Sequence, residues 1–197
     1  MSKESNYRKI VAGFALAMLA VRLYYQRKAL AEGGRAEVQP QGLSLFLASG
    51  AALTNIVFGL AYLARPSAWR WSYARFPDRL RRLGAGLLAA GTGLLWAAHH
   101  HLAENFSGVV VLREGQQLVT TGPYARIRHP IYTAYLLNYL GGGLLAGSWV
   151  LTLVPAGLYA GMAILRMPQE EALLRATFGE AYDAYQARTD RLLPGVY

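Results

Sequence analysis

The densest concentration of chemically versatile side chains lies in residues 117–132, where Gly122, Pro123, Tyr124, Arg126, Arg128, His129, Pro130 and Tyr132 crowd the approach to an apolar run. Such a stretch can fold into a polar cup. Turns and the amino end of a helix offer free N–H donors to a carboxylate, and Tyr124 and Tyr132 offer aromatic faces to an adenine or a sulfonium. The plainer reading of the same residues is a capped helix start. Further along, Arg166 and Glu170 stand four residues apart, a spacing that puts both on one face of an unbroken helix. Pro168 lies between them and removes one backbone bond, so the plainer outcome there is a surface ion pair of ~0.3–0.5 kcal/mol.

Other residues draw attention and carry less. Three consecutive histidines, His99 to His101, invite a metal, but neighbouring helical positions diverge by ~100° and no carboxylate is suitably spaced. No metal site is expected. Asn55 and Asn138 fall inside apolar runs, where an isolated amide is costly. Asn138 is a candidate for lining a substrate path, against the alternative of an interhelical hydrogen bond of ~0.6 kcal/mol. The chain has no cysteine, which excludes disulfides, thiolate zinc sites and a cysteine nucleophile.

These residues are carried by an unusually apolar chain: of 197 residues, 54% are hydrophobic and 16% charged. That composition points to lipid as the solvent. Apolar runs at residues 10–25, 43–64, 83–98, 131–147 and 149–165 predict five helices of a single all-α integral membrane domain. Residues 1–104 supply the first three and 105–197 the remaining core. The first run follows Lys3, Arg8 and Lys9 as a secretion signal would, but it continues too far for one. Arg22 sits near its end, where the side chain can snorkel to headgroups.

The net charge of +9 comes from short basic segments between apolar runs, which favours lipid headgroups over nucleic acid as partner. Charge does not orient the chain, since nine Lys and Arg fall on one side and ten on the other. Residues 65–82 interleave arginines with Trp69, Trp71, Tyr73 and Phe76, as segments in the headgroup layer do. Gly84, Gly86, Gly91, Gly93 and Gly141 to Gly143 predict close helix packing. Only Gly147 and Ser148 separate the fourth and fifth runs, so these form a tight antiparallel hairpin. Residues 109–112 and 116–119 flank Arg113, Glu114 and Gly115 like a short β-hairpin. After the fifth run, Leu174, Phe178, Tyr182 and Tyr185 recur at helical spacing, predicting an amphipathic helix started by Pro168 with Glu170 and Glu171 in its first turn.

Leu118-Val119-Thr120, Gly122 and Tyr124, followed by Arg128-His129-Pro130 and Tyr132, resemble the signature of isoprenylcysteine carboxyl methyltransferases and related phospholipid methyltransferases. Asn105-Phe106-Ser107 and Arg113-Glu114-Gly115 upstream are similar too. So are Glu170-Glu171 with Leu173-Leu174, then Phe178-Gly179, Tyr182, Tyr185 and Leu193-Pro194. The likeness covers about residues 105 to 195, with several motifs in order.

The resemblance implies methyl transfer from S-adenosylmethionine to a lipophilic acceptor, first of all the carboxylate of an isoprenylcysteine-like thioether. It places Gln116, Gln117, Leu118, Val119, Tyr124, His129, Pro130, Ile131, Tyr132 and Glu170 at cofactor-contacting positions and Arg166 at the acceptor. Eukaryotic members commonly have His where Gln116 stands. A charged, water-soluble donor and a lipid acceptor meet most simply at the cytoplasmic interface, which puts the site and the C-terminus there, with the hairpin-like loop over the cofactor. An ionised carboxylate needs no base, whereas an amine or thiol acceptor would call on Glu170, Glu171 or His129. Sterol reductases, which share the tail in outline, would use NADPH instead and are longer; a non-catalytic scaffold would keep the fold without turnover.

Overall fold

A computed structural model describes residues 3–31, 42–102 and 117–196. The expected β-hairpin and Gln116 lie outside the described residues. Each of the five apolar runs forms a helix: α1 (Lys3–Ala31), α2 (Gly42–Ala64), α3 (Asp78–Leu102), α4 (Pro130–Ala146) and α5 (Trp149–Phe178). A short α6 (Glu180–Ala187) follows, and among the described residues there is no strand, only two isolated bridges. α5 is long and apolar enough to cross a membrane, and residues Ser49–Ala64 of α2 form a shorter apolar helix.

α3 lies along α4, α4 turns back into α5, and α2 covers α5, while α1 rests against α3 and α4. Glycine makes the α3–α4 seam close. A Cβ on Gly84 would stand 2.7 Å from the Gly141 carbonyl oxygen, and one on Gly141 would stand 2.7 Å from that of Gly84. Gly91 is equally confined by Asn138 and the Ala134 carbonyl, whereas Gly86 and Gly93 face open space. Packing therefore accounts for some of the expected glycines and not for all.

The α4–α5 turn is built as its two residues dictate. Gly147 takes the left-handed conformation (φ 73°) that ends α4, and the Ser148 hydroxyl accepts from the Leu151 N–H to cap α5. At the same end of the bundle Arg81 donates to Glu4 (2.8 Å) and to the Leu145 carbonyl (2.9 Å), and Tyr62 donates to Glu4 (2.8 Å). These bonds tie the start of α1, the end of α2 and the start of α3 to the turn.

Two expectations are corrected. α3 does not end at residue 98 but runs through all three histidines, because buried His99 stacks on Tyr25 of α1 (5.2 Å between ring centres) and His100 on Trp96. Pro168 does not start a separate helix either. α5 passes through Pro155 and Pro168, losing a backbone bond at each, because Met162, Ala163, Met167 and Glu171 on its inner face stay buried. The break falls instead at Gly179, whose φ of 51° ends α5 and begins α6. Glu170 and Glu171 consequently lie well inside α5, where no helix terminus stabilises their charge and side-chain partners must.

Candidate functional site

The site grows from the start of α4. The Gly122 backbone (φ 58°) turns the chain beneath His101, whose ring occupies the space a Cβ there would need. A 3-10 turn, Gly122–Ala125, then buries Tyr124, and the Tyr124 carbonyl accepts from the Tyr185 hydroxyl of α6 at 2.8 Å. His129 precedes Pro130, the first residue of α4, and its carbonyl receives the N–H groups of Tyr132 and Thr133 (3.1 and 3.2 Å). Pro130 suits that position, since its missing N–H is one no helix could satisfy there.

The chain's tail closes over this start. Arg128 and His129 donate their N–H groups to the carbonyls of Asp190 and Arg191 (2.8 and 3.0 Å), and Asp190 donates back to Arg126 (3.1 Å). The Thr133 hydroxyl donates to the Leu192 carbonyl at 2.8 Å. Residues 126–133 and 189–192 thus form one backbone-bonded unit, and α5 stands beside it.

Two adjacent glutamates of α5 meet that unit differently. Glu170 accepts from the Tyr132 hydroxyl at 2.6 Å, pairs with Arg166 at 3.3 Å and lies 3.5 Å from His129 Nδ1. Arg166 and Glu170 do share a face despite Pro168. Glu171 is buried and receives Arg128 Nε at 3.0 Å, Arg191 Nη2 at 2.8 Å and His129 Nε2 at 3.3 Å. Arg128 also donates to the Thr189 carbonyl, so one guanidinium joins α5 to the tail.

Charge follows from this geometry. Residues from 166 onward lie past the apolar part of α5. Burial disfavours ionised Glu171, but donors from His129, Arg191 and Arg128 outweigh it and hold the carboxyl well below the usual carboxylate range. For His129 burial again opposes charge, and bonds to Glu170 and Glu171 prevail, raising its pKa. Burial pushes the Tyr124 hydroxyl up, keeping it neutral.

The sequence-predicted residues divide accordingly. Tyr124, His129, Pro130, Ile131, Tyr132, Arg166 and Glu170 come together around the α4 start, and Gln117, Leu118 and Val119 lead into it as irregular chain. Asn138 does not join them. Its oxygen accepts from Thr92 (3.0 Å) and its nitrogen donates to the Ala134 carbonyl (2.8 Å), so the buried amide stitches α3 to α4 instead of lining a substrate path. The sequence pairs neither Arg128 nor Arg191 with a partner, and offers Glu171 as a first-turn carboxylate or a base. The available signal was the Glu170-Glu171 pair itself, since adjacent carboxylates on a helix point ~100° apart and need separate partners. Among the described residues no group of His, Asp and Glu is arranged to hold a metal ion.

Residues 84–176 match the model of the isoprenylcysteine carboxyl methyltransferase (ICMT) family. This segment is ICMT-like. The protein-S-isoprenylcysteine O-methyltransferase of Schizosaccharomyces pombe is 32% identical over 111 residues, 55% of this chain and 47% of its own. The cobalt-zinc-cadmium resistance protein CzcN of Cupriavidus metallidurans is 34% identical over 126 residues, 64% of this chain and 54% of its own. The nickel-cobalt-cadmium resistance protein NccN of Alcaligenes xylosoxydans xylosoxydans is 34% identical over 109 residues, with corresponding shares of 55% and 46%. The chain thus spans about half the length of the curated relatives it matches. In fold it is similar to the eukaryotic intramembrane Ras methyltransferase ICMT, with a TM-score of 0.61 at 18% identity over 96% of this chain and 68% of that one. The ICMT match contains His129, Tyr132, Arg166, Glu170 and Glu171, and ends before α6 and the tail that completes the cluster.

Proposed function

We propose that this protein is a multi-pass integral membrane methyltransferase that uses S-adenosylmethionine and methylates the carboxylate of an isoprenylcysteine-like acceptor. The carrying observation is the convergence on Glu170: Tyr132 and His129 from the start of α4 and Arg166 from α5 reach one carboxylate, all within the ICMT-matched segment. The three curated relatives bear different names at similar identity. The family match therefore supports the reaction class, and the acceptor is argued from this chain's residues.

The residues fit the cofactor's chemistry. Arg166 Nε is buried without a partner among the described residues, so the guanidinium retains a donor for an incoming anion beside Glu170. Tyr124, His129 to Tyr132 and Glu170 would hold the cofactor, with Gln117, Leu118 and Val119 at its approach. When bound, S-adenosylmethionine supplies an electrophilic methyl group on a sulfonium. Arg166 offers a fork that orients an acceptor carboxylate, and the surrounding apolar helices exclude water from that nucleophile. Glu170, held by the Tyr132 hydroxyl, would offer a carboxylate to the sulfonium of a bound cofactor. Glu171 is occupied by Arg128, Arg191 and His129, and Glu170 by Tyr132 and Arg166, so neither carboxylate nor His129 stands free as a base, which favours an acceptor that is already ionised over an amine or thiol. The cofactor's solubility supports a cytoplasmic site, with the C-terminus on that side and lipid-borne acceptor entering between helices.

The test is to measure binding of S-adenosylhomocysteine and NADPH to the purified protein and methyl transfer to a membrane lipid extract. S-adenosylhomocysteine should bind and NADPH should not. Arg166→Ala and Glu170→Ala should each abolish transfer while melting close to wild type. Preferential NADPH binding, or full transfer by both variants, would overturn the assignment.

A further inference from the structure

Arg22 lies outside the ICMT-matched segment, in the apolar run of α1, and it does not simply reach for headgroups. Its guanidinium donates to the Tyr135 hydroxyl of α4 at 3.3 Å. That partner is a hydroxyl, and no carboxylate pairs with Arg22 among the described residues. A cation in an apolar run with only a hydroxyl partner has its charge unmatched, and such residues mark the paths of polar ligands. It is also exposed, so a ligand can reach it.

What adjoins Arg22 gives the path a direction. Tyr135 packs on Tyr159 (5.3 Å between ring centres) and on Tyr139 (6.2 Å), and Tyr159 packs on Tyr132 (6.0 Å), whose hydroxyl is bonded to Glu170. A wall of tyrosines thus runs without a gap from the Glu170 carboxylate to the Arg22 guanidinium. The inner rings of this run are buried, so the accessible part of the site is its outer end, where Arg22 has four N–H donors left for an anion.

We propose that Arg22, positioned by Tyr135, forms an anion-binding site at the mouth between α1 and α4, which receives the anionic end of a lipophilic ligand, a carboxylate or a phosphate. For the carboxylate source this is an entry position, occupied before the carboxylate passes on to Arg166, and it deepens the acceptor assignment above and rests on it. The site would admit anionic acceptors in preference to neutral or cationic ones, a selection the ICMT-matched segment does not itself contain.

The experiment reads binding directly, with no turnover needed. The full chain in nanodiscs is titrated with N-acetyl-S-farnesylcysteine and with its methyl ester, and is melted in phosphatidylcholine discs with and without phosphatidylglycerol. Arg22→Gln should weaken the free acid at least tenfold and leave the ester nearly unchanged, and Arg22→Lys should restore most of the loss. If phosphate is the natural occupant, phosphatidylglycerol should instead raise the wild-type melting temperature and Arg22→Gln should cancel that rise. Tyr135→Phe, which keeps the charge and removes only its anchor, should weaken the same anion severalfold and serves if Arg22→Gln does not fold. Unchanged discrimination between acid and ester, together with no lipid-dependent difference in melting, would overturn the inference. Arg22-dependent binding by a protein that neither binds S-adenosylhomocysteine nor transfers methyl groups would uphold this anion site and refute the methyltransferase reading alone.

Discussion

Replacing Glu171 with Gln removes one negative charge and leaves the shape of the side chain nearly intact. Three donors lose a charged acceptor and keep at most one amide oxygen between them: the Arg128 guanidinium, with a side chain 8% exposed, His129 at 6% and Arg191 at 30%. Removing one member of a buried pair typically costs about 3–5 kcal/mol, because the remaining charge is left desolvated. Arg191 can turn to water and contributes little to that loss. Arg128 cannot, since its guanidinium is also bonded to the Gln186 and Thr189 carbonyls. The lower figure of about 3 kcal/mol is therefore expected, and for a chain of this size it corresponds to a fall of roughly 6–12 °C in melting temperature. The sign with pH can be worked out as well. Glu171 has a depressed carboxyl in the folded protein, so its contribution is present above the unfolded pKa of ~4.3 and is lost as pH falls through the folded value. Thermal melts of both proteins from pH 2 to pH 8 check this, with the wild-type advantage full at neutral pH and shrinking as pH falls below ~4.3. A fall of under about 2 °C at pH 7 would refute the buried-pair reasoning.

Close packing and His129 each yield a further expectation. Gly84→Ala should destabilise by about 1–3 kcal/mol, because its Cβ meets backbone atoms of α4 that cannot yield. Gly86→Ala, facing open space on the same helix, should instead be neutral or stabilise by up to about 1 kcal/mol, and thermal melting of the pair isolates the seam. His129 has a raised pKa through Glu170 and Glu171, so its contribution to stability is full below ~6.5 and fades as pH rises through its higher folded value. Melting temperature measured from pH 6 to pH 9 should decline over that window in wild type, and the decline should flatten in His129→Gln.

Much of this architecture was legible because the apolar runs are long and their punctuation is strong. Gly147 and Ser148 announce the α4–α5 turn, Pro130 announces the start of α4, and the motifs around His129 and Glu170 announce where chemistry would gather. Other features depend on partners distant in sequence. Pro168 reads locally as a helix start, and only the burial of Met167 and Glu171 against other segments explains why α5 ignores it. The partners of Glu171 come from Arg128 and Arg191, 43 and 20 residues away, and nothing in spacing relates those three. Asn138 was ambiguous because an amide in an apolar run suits a ligand and a neighbouring helix equally. Its partner Thr92 on α3 became evident once Gly91 let the two helices touch.

At 30 residues, α5 is about 45 Å long by the rise of an α-helix, well beyond the ~30 Å of a hydrocarbon layer. One helix therefore carries both the apolar stretch and the two glutamates, continuing through Pro168 although a backbone bond is lost there. A tilt of α5 against α4, were it adopted to suit a thicker or thinner bilayer, would move Arg166 and Glu170 relative to Tyr132. In a bilayer, thickness would therefore bear on the geometry of the Glu170 cluster through this one long helix.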